Sequence, residues 1–422
     1  VTGRPADLGA VYGSVYRAEF GPALATVARL VGDIGLAEDA VQEAFTDALR
    51  SWPERGVPRN PGAWITTAAR NRALDRMRRE SARLHKESDA VALTARPEDT
   101  GEEPDVTPIA DDQLRMIFTC CHPALSPESQ VALTLRLVCG LRTAEIARAF
   151  LQPEHTVANR LTRAKSKIRQ ANIPMRVPPQ HLLPERVPGV LACIYLVFAE
   201  GYFATAGPAA VRDELCDEAI RLGRLVVALL PDEPEAAALL ALMLLDDSRR
   251  AQRRTDGGEL VPLEEQDRSA WNRAAIHEGL RYLVSAAERG RGPYLAQARI
   301  AGAHAVAPSW ERTDWTAVVD GYDELAGWSA SPVVLVNRAL AVGFRDGFDA
   351  GLAALDQVAD HPRLAGSNTV AATRADLLRR AGRPRAAADA YREALATAAN
   401  DQARAFLRRR LDEVADLSAD GR

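Results

Sequence analysis

TAEIARAFLQPEHTVANRLTRAKSKIR, residues Thr143–Arg169, divides into two short helices around a tight break. Thr143 is placed to cap the first helix, and Glu145 sits in its first turn, where a negative charge suits the helix dipole. Ile146, Ala147 and Phe150 follow at helical spacing on one face. Pro153 ends that helix and suits the first position of the next. In the second helix Val157, Leu161, Ala164 and Ile168 form an apolar stripe. His155, Thr156, Asn159, Arg160, Arg163 and Lys167 are left pointing outward. A small bracing helix followed by a basic helix with a polar outer face is the layout of a helix-turn-helix, whose second helix enters a major groove. A solvated helical hairpin is the bland alternative.

The surrounding chain bounds the answer. Its 422 residues suffice for roughly two to four domains. Hydrophobic residues at 47% and charged residues at 26% are ordinary for a globular chain. Alanine, leucine and arginine dominate and β-branched alternation is scarce, so an all-α fold is expected. No apolar run approaches a membrane span and no charged-then-apolar leader opens the sequence, so neither a membrane nor a secretory route is expected. Five cysteines without framework spacing fit a reducing cytoplasm. Cys120-Cys121-His122 offers half a metal site with no second liganding pair in view, so buried thiols are expected and no metal or cofactor.

The net charge of −4 conceals a division. Between Glu87 and Asp112 nine acids face one base, Arg96, while the rest of residues 1–175 carry a net +9. Two basic modules are thus joined by an acidic linker, and the charge of each segment, rather than the average, governs its partners.

Before the linker, two helices are expected from Ala10 to Leu49. The first turns Val11, Val15, Phe20, Leu24, Val27 and Leu30 inward. The second, starting after Asp33, buries Leu36, Ala40, Val41, Ala44, Phe45, Ala48 and Leu49 and exposes Glu38, Asp39, Gln42, Glu43 and Asp47. That acidic face is either merely solvated or meets a partner with a basic surface. After a turn-rich loop, a third helix places Trp64, Ile65, Ala68, Ala69, Leu74 and Met77 inward and carries seven bases from Arg70 to Lys86. Phosphate neutralisation with Trp52 and Trp64 close by has the ingredients of single-strand capture; a solvated basic face is the alternative. The Pro- and Asp-rich stretch after Glu87 is expected to be a flexible linker. Helices resume over Asp111–Cys121 and Pro127–Val138, the latter capped by Ser126.

Residues 10–172 resemble the extracytoplasmic-function sigma factors of the sigma-70 family. DAVQEAFTDAL (Asp39–Leu49) is similar to the helix that grips the polymerase clamp, GAWITTAARNRALDRMRR (Gly62–Arg79) to the promoter-melting and −10-reading helix, and Thr143–Arg169 to the −35 reader. Where the family often has Gly in the helix-turn-helix turn, this chain has Leu151 and Gln152. The resemblance implies that Asp39, Gln42, Glu43 and Phe45 bind core RNA polymerase. Trp64, Arg70, Asn71, Asp75, Arg76, Arg78 and Arg79 would hold the −10 strand, and His155, Thr156, Asn159, Arg160, Arg163 and Lys167 the −35 duplex of promoter DNA. It also implies a non-enzymatic role, with the acidic linker imitating the transcript in the polymerase's RNA path.

The domains expected are therefore 1–86 (similar to sigma region 2), a linker over 87–108, 109–173 (similar to sigma region 4) and a helical extension over 174–422. Within the extension ADLLRRAGRPRAAADAYREALATA (Ala375–Ala398) looks like a tetratricopeptide unit, with Gly382 in the turn and Ala386, Ala390, Tyr391, Ala394 and Leu395 packing. Ser331–Val358 and Cys216–Leu245 look like weaker copies. This layout resembles the sigma subgroup whose helical-repeat extension regulates in place of a separate anti-sigma protein, through contact with the sigma domains. Glu200, Tyr202, Asp256, Gln266, Asp267, Arg268 and Trp271 form a candidate regulatory surface, with a small-ligand pocket or plain capping and interdomain contacts as competing readings. Two other classes compete: a helical-repeat adaptor that binds DNA without polymerase, and an enzyme in residues 180–422. For the second, no nucleophile with its base and no paired carboxylates are legible.

Overall fold

The structure, a computed structural model, describes residues 5–88, 109–149, 152–203, 209–255, 261–328, 331–398 and 401–419. Among them the elements are helices throughout, giving the all-α fold expected, and the chain parts into two compact units, Val1–Glu200 and Gly201–Arg422. Residues 89–108 of the acidic linker, Phe150, Leu151 and Asp256 lie outside the described residues.

The first unit opens with three mutually packed helices, α1 (Pro5–Val31), α2 (Ile34–Arg55) and α3 (Pro61–Ser88). Their core is aromatic. Tyr16 and Phe45 approach to 4.8 Å between ring centres, Phe20 lies beside both, and Trp52 meets Tyr12 edge-on. Phe20, Leu24 and Val27 are buried as expected, but Val11 and Leu30 of α1, Leu49 of α2 and Met77 of α3 are exposed. The inward stripe of each helix is narrower than its run of apolar residues, and Ala73 takes the place expected for Met77. Asp33 caps α2 by accepting from Leu36 N–H at 2.9 Å.

The second group in this unit is α4 (Ile109–Cys120), α5 (Pro127–Leu133), α6 (Thr143–Ala149) and α7 (Glu154–Gln170). Ser126 caps α5 and Pro127 opens it, as expected. The helix does not run on to Val138 in α form, however: Thr134–Val138 is a π-helical turn, closed by Cys139 N–H donating to Thr134 O at 3.2 Å. In α6 the cap lies one residue before Thr143: the Glu145 carboxylate accepts from Arg142 N–H at 2.8 Å. Pro153 is the extended residue preceding α7 rather than its first helical position. Val157, Leu161, Ala164 and Ile168 form the buried stripe of α7.

α8 (Leu183–Phe203) follows and carries the division between the two units. Its Arg186 donates to Phe118 O, and its Cys193 thiol hydrogen-bonds to Cys121, so residues soon after 173 belong with the helix-turn-helix group. Cys121 Sγ also lies 3.8 Å from Thr134 Oγ1, and all five cysteines are buried thiols. Burial pushes the Cys120 thiol far up and removes its thiolate character.

The second unit comprises α9 (Ala209–Leu229), α10 (Pro234–Asp247), α11 (Arg273–Arg289), α12 (Pro293–Val306), α13 (Trp315–Trp328), α14 (Pro332–Asp346), α15 (Phe348–Asp356), α16 (Thr369–Arg380), α17 (Pro384–Ala396) and α18 (Asp401–Ala419). Most of these helices pack on their neighbours in sequence, and α12 packs more extensively on α10 than on α11. Gly382, at φ +70°, makes the α16–α17 turn, a left-handed conformation costing an L-residue with a side chain about 1 kcal/mol. Tyr391, Ala390 and Ala394 are buried there, but Ala386 is exposed and Ala387 and Ala388 fill the interface instead.

Candidate nucleic-acid and polymerase interface

α7 carries five cations on one short helix, Arg160, Arg163, Lys165, Lys167 and Arg169. His155, Asn159, Arg163 and Lys167 are exposed, and Thr156 and Arg160 are half-buried beside them. All six lie on the side opposite the apolar stripe, a continuous polar strip suited to base edges and phosphates. Lys165 and Arg169 lie on the other flank of α7 and have partners in α2. Lys165 Nζ is 2.9 Å from Glu38 Oε2, and Arg169 Nε is 2.9 Å from Asp33 Oδ2.

On α3, Arg70, Asn71, Asp75, Arg78 and Arg79 are exposed along one side. Arg78 lies 3.5 Å from Asp75, a loose surface pair that leaves the guanidinium accessible. Trp64 is half-buried and meets Trp52 edge-on at 5.7 Å between ring centres. Arg76 differs from the rest. It pairs with Glu43 and reaches Asp39 at 3.7 Å, while Arg72 pairs with Glu43 at 3.0 Å and with Asp47. Arg76 is therefore a tie between α3 and α2 as much as a strand contact, because its i,i+4 partner Arg72 sits on the same α2-facing side.

On α2, Asp39 and Gln42 are exposed and Glu43 is half-exposed in the Arg72–Arg76 pairing. Two assignments need correcting. Phe45, expected to touch polymerase, is 2% exposed inside the aromatic core. Glu38, expected on the solvated face, is 4% exposed. The spacing accounts for both: Ile34, Glu38, Val41 and Phe45 recur at i+4, i+7 and i+11, which puts Glu38 within the buried stripe. A buried carboxylate demands charged partners, and Glu38 has Arg136 Nη2 at 2.7 Å as well as Lys165, with Gln42 Nε2 donating to it at 3.2 Å. Burial works to raise its pKa, but the two cations outweigh it and hold the carboxyl below the usual range, so it is ionised at neutral pH. The pairings of Asp33, Glu38, Arg136, Lys165 and Arg169 are not legible in the sequence because the partners lie roughly a hundred or more residues apart along the chain.

The candidate regulatory surface is mostly interior. Tyr202, Gln266, Arg268 and Trp271 are buried, Asp267 is an exposed cap accepting from Ser269 N–H at 2.9 Å, and Glu200 and Tyr202 fall in different units. Arg268 donates to Ala307 O at 3.0 Å and to His304 O, and its guanidinium lies 4.8 Å from the Trp271 ring centre. Those contacts close the end of α12 and explain these residues as structural. Among the described residues no cluster of His, Cys, Asp and Glu is arranged to hold a metal, and no helix is long and apolar enough to cross a membrane.

Two helical groups, one ending in a basic helix with flanking tryptophans and one in a helix-turn-helix, have the layout of sigma-70 type proteins. The comparisons agree. Residues 15–83 match Sigma-70 region 2, residues 115–168 match Sigma-70 region 4, and residues 186–287 match a family of unknown function, DUF6596. An uncharacterised protein of Rhizobium meliloti is 41% identical over 396 residues, covering 93% of each chain. The probable ECF RNA polymerase sigma factor SigI of Mycobacterium tuberculosis is 30% identical over 160 residues, 37% of this chain and 54% of that relative. The ECF RNA polymerase sigma factor SigL of the same organism is 33% identical over 145 residues, 33% of this chain and 77% of the relative. This chain belongs to the extracytoplasmic-function sigma factors of the sigma-70 family, with a long helical extension beyond region 4. These are transcription initiation factors rather than enzymes.

Proposed function

We propose that this chain binds core RNA polymerase, carries it to a promoter, and is modulated by its own C-terminal helical extension. The observation that bears most weight is the pairing of exposed groups in family order: Asp39 and Gln42 on α2, Asn71, Asp75, Arg78 and Arg79 on α3, and Asn159 and Arg163 on α7. In this reading α2 docks on polymerase by its acidic side. Region 2 then captures bases of the −10 strand as they leave the stack, each costing a few kcal/mol to unstack, offset by Trp64 and the polar groups of α3. Region 4 reads the −35 duplex through α7, with Asn159 and Arg163 on base edges and Lys167 on phosphate. No cofactor takes part. The partners are polymerase, promoter DNA and, within the chain, the extension acting on the sigma domains.

Run-off transcription with purified core polymerase and a promoter selected by the protein tests this reading. A specific transcript dependent on the added chain is expected. Tight duplex binding with no transcript would instead mark a DNA-binding regulator that works without polymerase. Repeating the assay with a chain ending at Glu200, which keeps the first unit whole, reads the sign of the extension's influence: a gain indicates inhibition, a loss indicates activation, and no change would remove the modulating role.

A further inference from the structure

Between α10 and α11 the second unit makes a long excursion whose ends are pinned together, Asn272 N–H donating to Ser248 O at 2.7 Å. Packed helices are usually joined by about 2–8 residues, and much longer connections are usually functional. Within it Leu263–Glu265 forms one short 3₁₀ turn between extended residues, Pro262 at φ −55°, ψ 150° and Gln266 at φ −77°, ψ 136°. This strap reaches helices far along the chain. Arg380 of α16 pairs with Glu264, and Arg410 of α18 lies 2.6 Å from Glu265 and 3.3 Å from Glu264. Leu263 packs against the buried cluster of Leu245, Trp271, Ile276 and Ala305.

The charges show what α16 and α18 lack on their own. Arg379, Arg380, Arg409 and Arg410 stand together, and among the described residues the two helices bring only Asp376 and Glu413 to pair with them. Four guanidiniums against two carboxylates leave a cationic surplus, and Arg410 is buried. A buried charge requires a counter-charge, and Glu264 and Glu265 supply two. The match is incomplete. Arg409 lies 3.7 Å from Glu265 and 3.9 Å from Glu413, and its Nε and Nη2, both shielded from solvent, make no hydrogen bond among the described residues. The strap is also unevenly held: Gln266 and Arg268 at its base are buried, whereas residues 261–264 are half-buried and Glu265 is exposed.

We propose that Arg380, Arg409 and Arg410 form a docking clamp for an extended acidic peptide of a partner protein, two adjacent carboxylates preceded by an apolar residue, and that Leu263–Glu265 fills this clamp in cis until such a peptide displaces it. The resident segment defines the chemistry of the ligand, glutamates for the guanidiniums and a leucine for the seat beside Trp271. Because the strap is tethered, it competes at an effective concentration on the order of millimolar. A partner that also satisfies Arg409 has the advantage over it. The inference concerns the extension alone and stands whether or not the chain initiates transcription.

The test uses the full chain and a fluorescent peptide of sequence VPLEEQD, the chain's own residues 261–267, read by anisotropy. Glu264→Gln with Glu265→Gln keeps the size of the strap and removes the charges that hold it. This variant is expected to bind the peptide at least about tenfold more tightly than the wild-type chain. Adding Arg380→Gln and Arg410→Gln should abolish the gain, which separates the clamp from the basic helices of the first unit. Hydrogen exchange on the wild-type chain needs no substitution: peptide on the order of 10 mM should deprotect the strap, where Val261 N–H donates to Arg253 O and Glu265 N–H to Pro262 O, each at 2.9 Å. A folded Glu264→Gln, Glu265→Gln chain that binds peptide no more tightly than wild type overturns the clamp, as does a gain that survives loss of both arginines. If the variants fail to fold, a wild-type strap that stays protected at that peptide concentration overturns it.

Discussion

Phe45 and Glu38 lie seven residues apart on the same side of α2, and each reverses what its chemistry alone suggests. Phe45 packs against Tyr16 and Phe20. Phe45→Ala should therefore destabilise region 2 by about 3–5 kcal/mol, measurable by chemical denaturation, and lower polymerase binding only in proportion to unfolding. Glu38 shows the opposite reversal, a charge in the core. Its depressed pKa means that its stabilising contribution is present above the normal carboxylate range and disappears as pH falls through the folded-state value. The third informative residue is His304, beneath Trp310 and Trp315 in the second unit. Burial, reinforced by Arg249 and Arg268, lowers its pKa from 6.5 to about 4. The unfolded chain takes up a proton below pH 6.5 that the folded one refuses. Stability of the second unit should thus fall between pH 6.5 and 4 by up to about 3 kcal/mol. His304→Phe, which keeps the ring stacking, should flatten that slope in pH-dependent thermal melts.

At the scale of elements, α7 gives the cleanest separation of roles. Arg160→Ala should weaken promoter binding by about 1–3 kcal/mol if it reaches a base edge, with core binding intact. Lys167→Ala should weaken all duplexes alike and reduce the slope of log K against log salt by about 0.9; both are read by titration at several salt concentrations. The helix-turn-helix was legible because its information is local: a stripe at 3.6 spacing, a breaking proline and a polar remainder. What could not be read was the other flank of α7. Lys165 and Arg169 look like two more phosphate contacts until α2 is brought beside them by tertiary packing. The same limit applies to Arg76, whose partners Glu43 and Asp39 lie on a different helix. The regulatory surface was misplaced for a related reason: Arg268 and Trp271 are polar or amphipathic residues whose partners are distant carbonyls and rings, invisible to spacing.

For the whole molecule, composition anticipated an all-helical chain with two basic modules joined by an acidic linker, and the resemblance to sigma factors supplied the domains and the extension; neither showed how the extension begins. α8 shares the Cys121 environment of region 4 through Arg186 and Cys193. A chain ending at Arg176 therefore loses the cover over that end of α4. Thiol labelling followed by mass spectrometry should find all five cysteines protected in the full chain and Cys121 newly reactive in the shortened one.

The π turn at Thr134–Val138 has a consequence for how this protein could drift. A π turn holds one residue more than the α-helix it interrupts, and each residue of an α-helix rotates the downstream chain by about 100°. Deleting a single residue here would relax the backbone to an ordinary helix without disturbing the caps of α6 or the stripe of α7. It would also swing Arg136 off the Glu38 side. One deleted codon would thus take away one of the two cations that hold the buried Glu38, leaving Lys165 as its remaining charged partner.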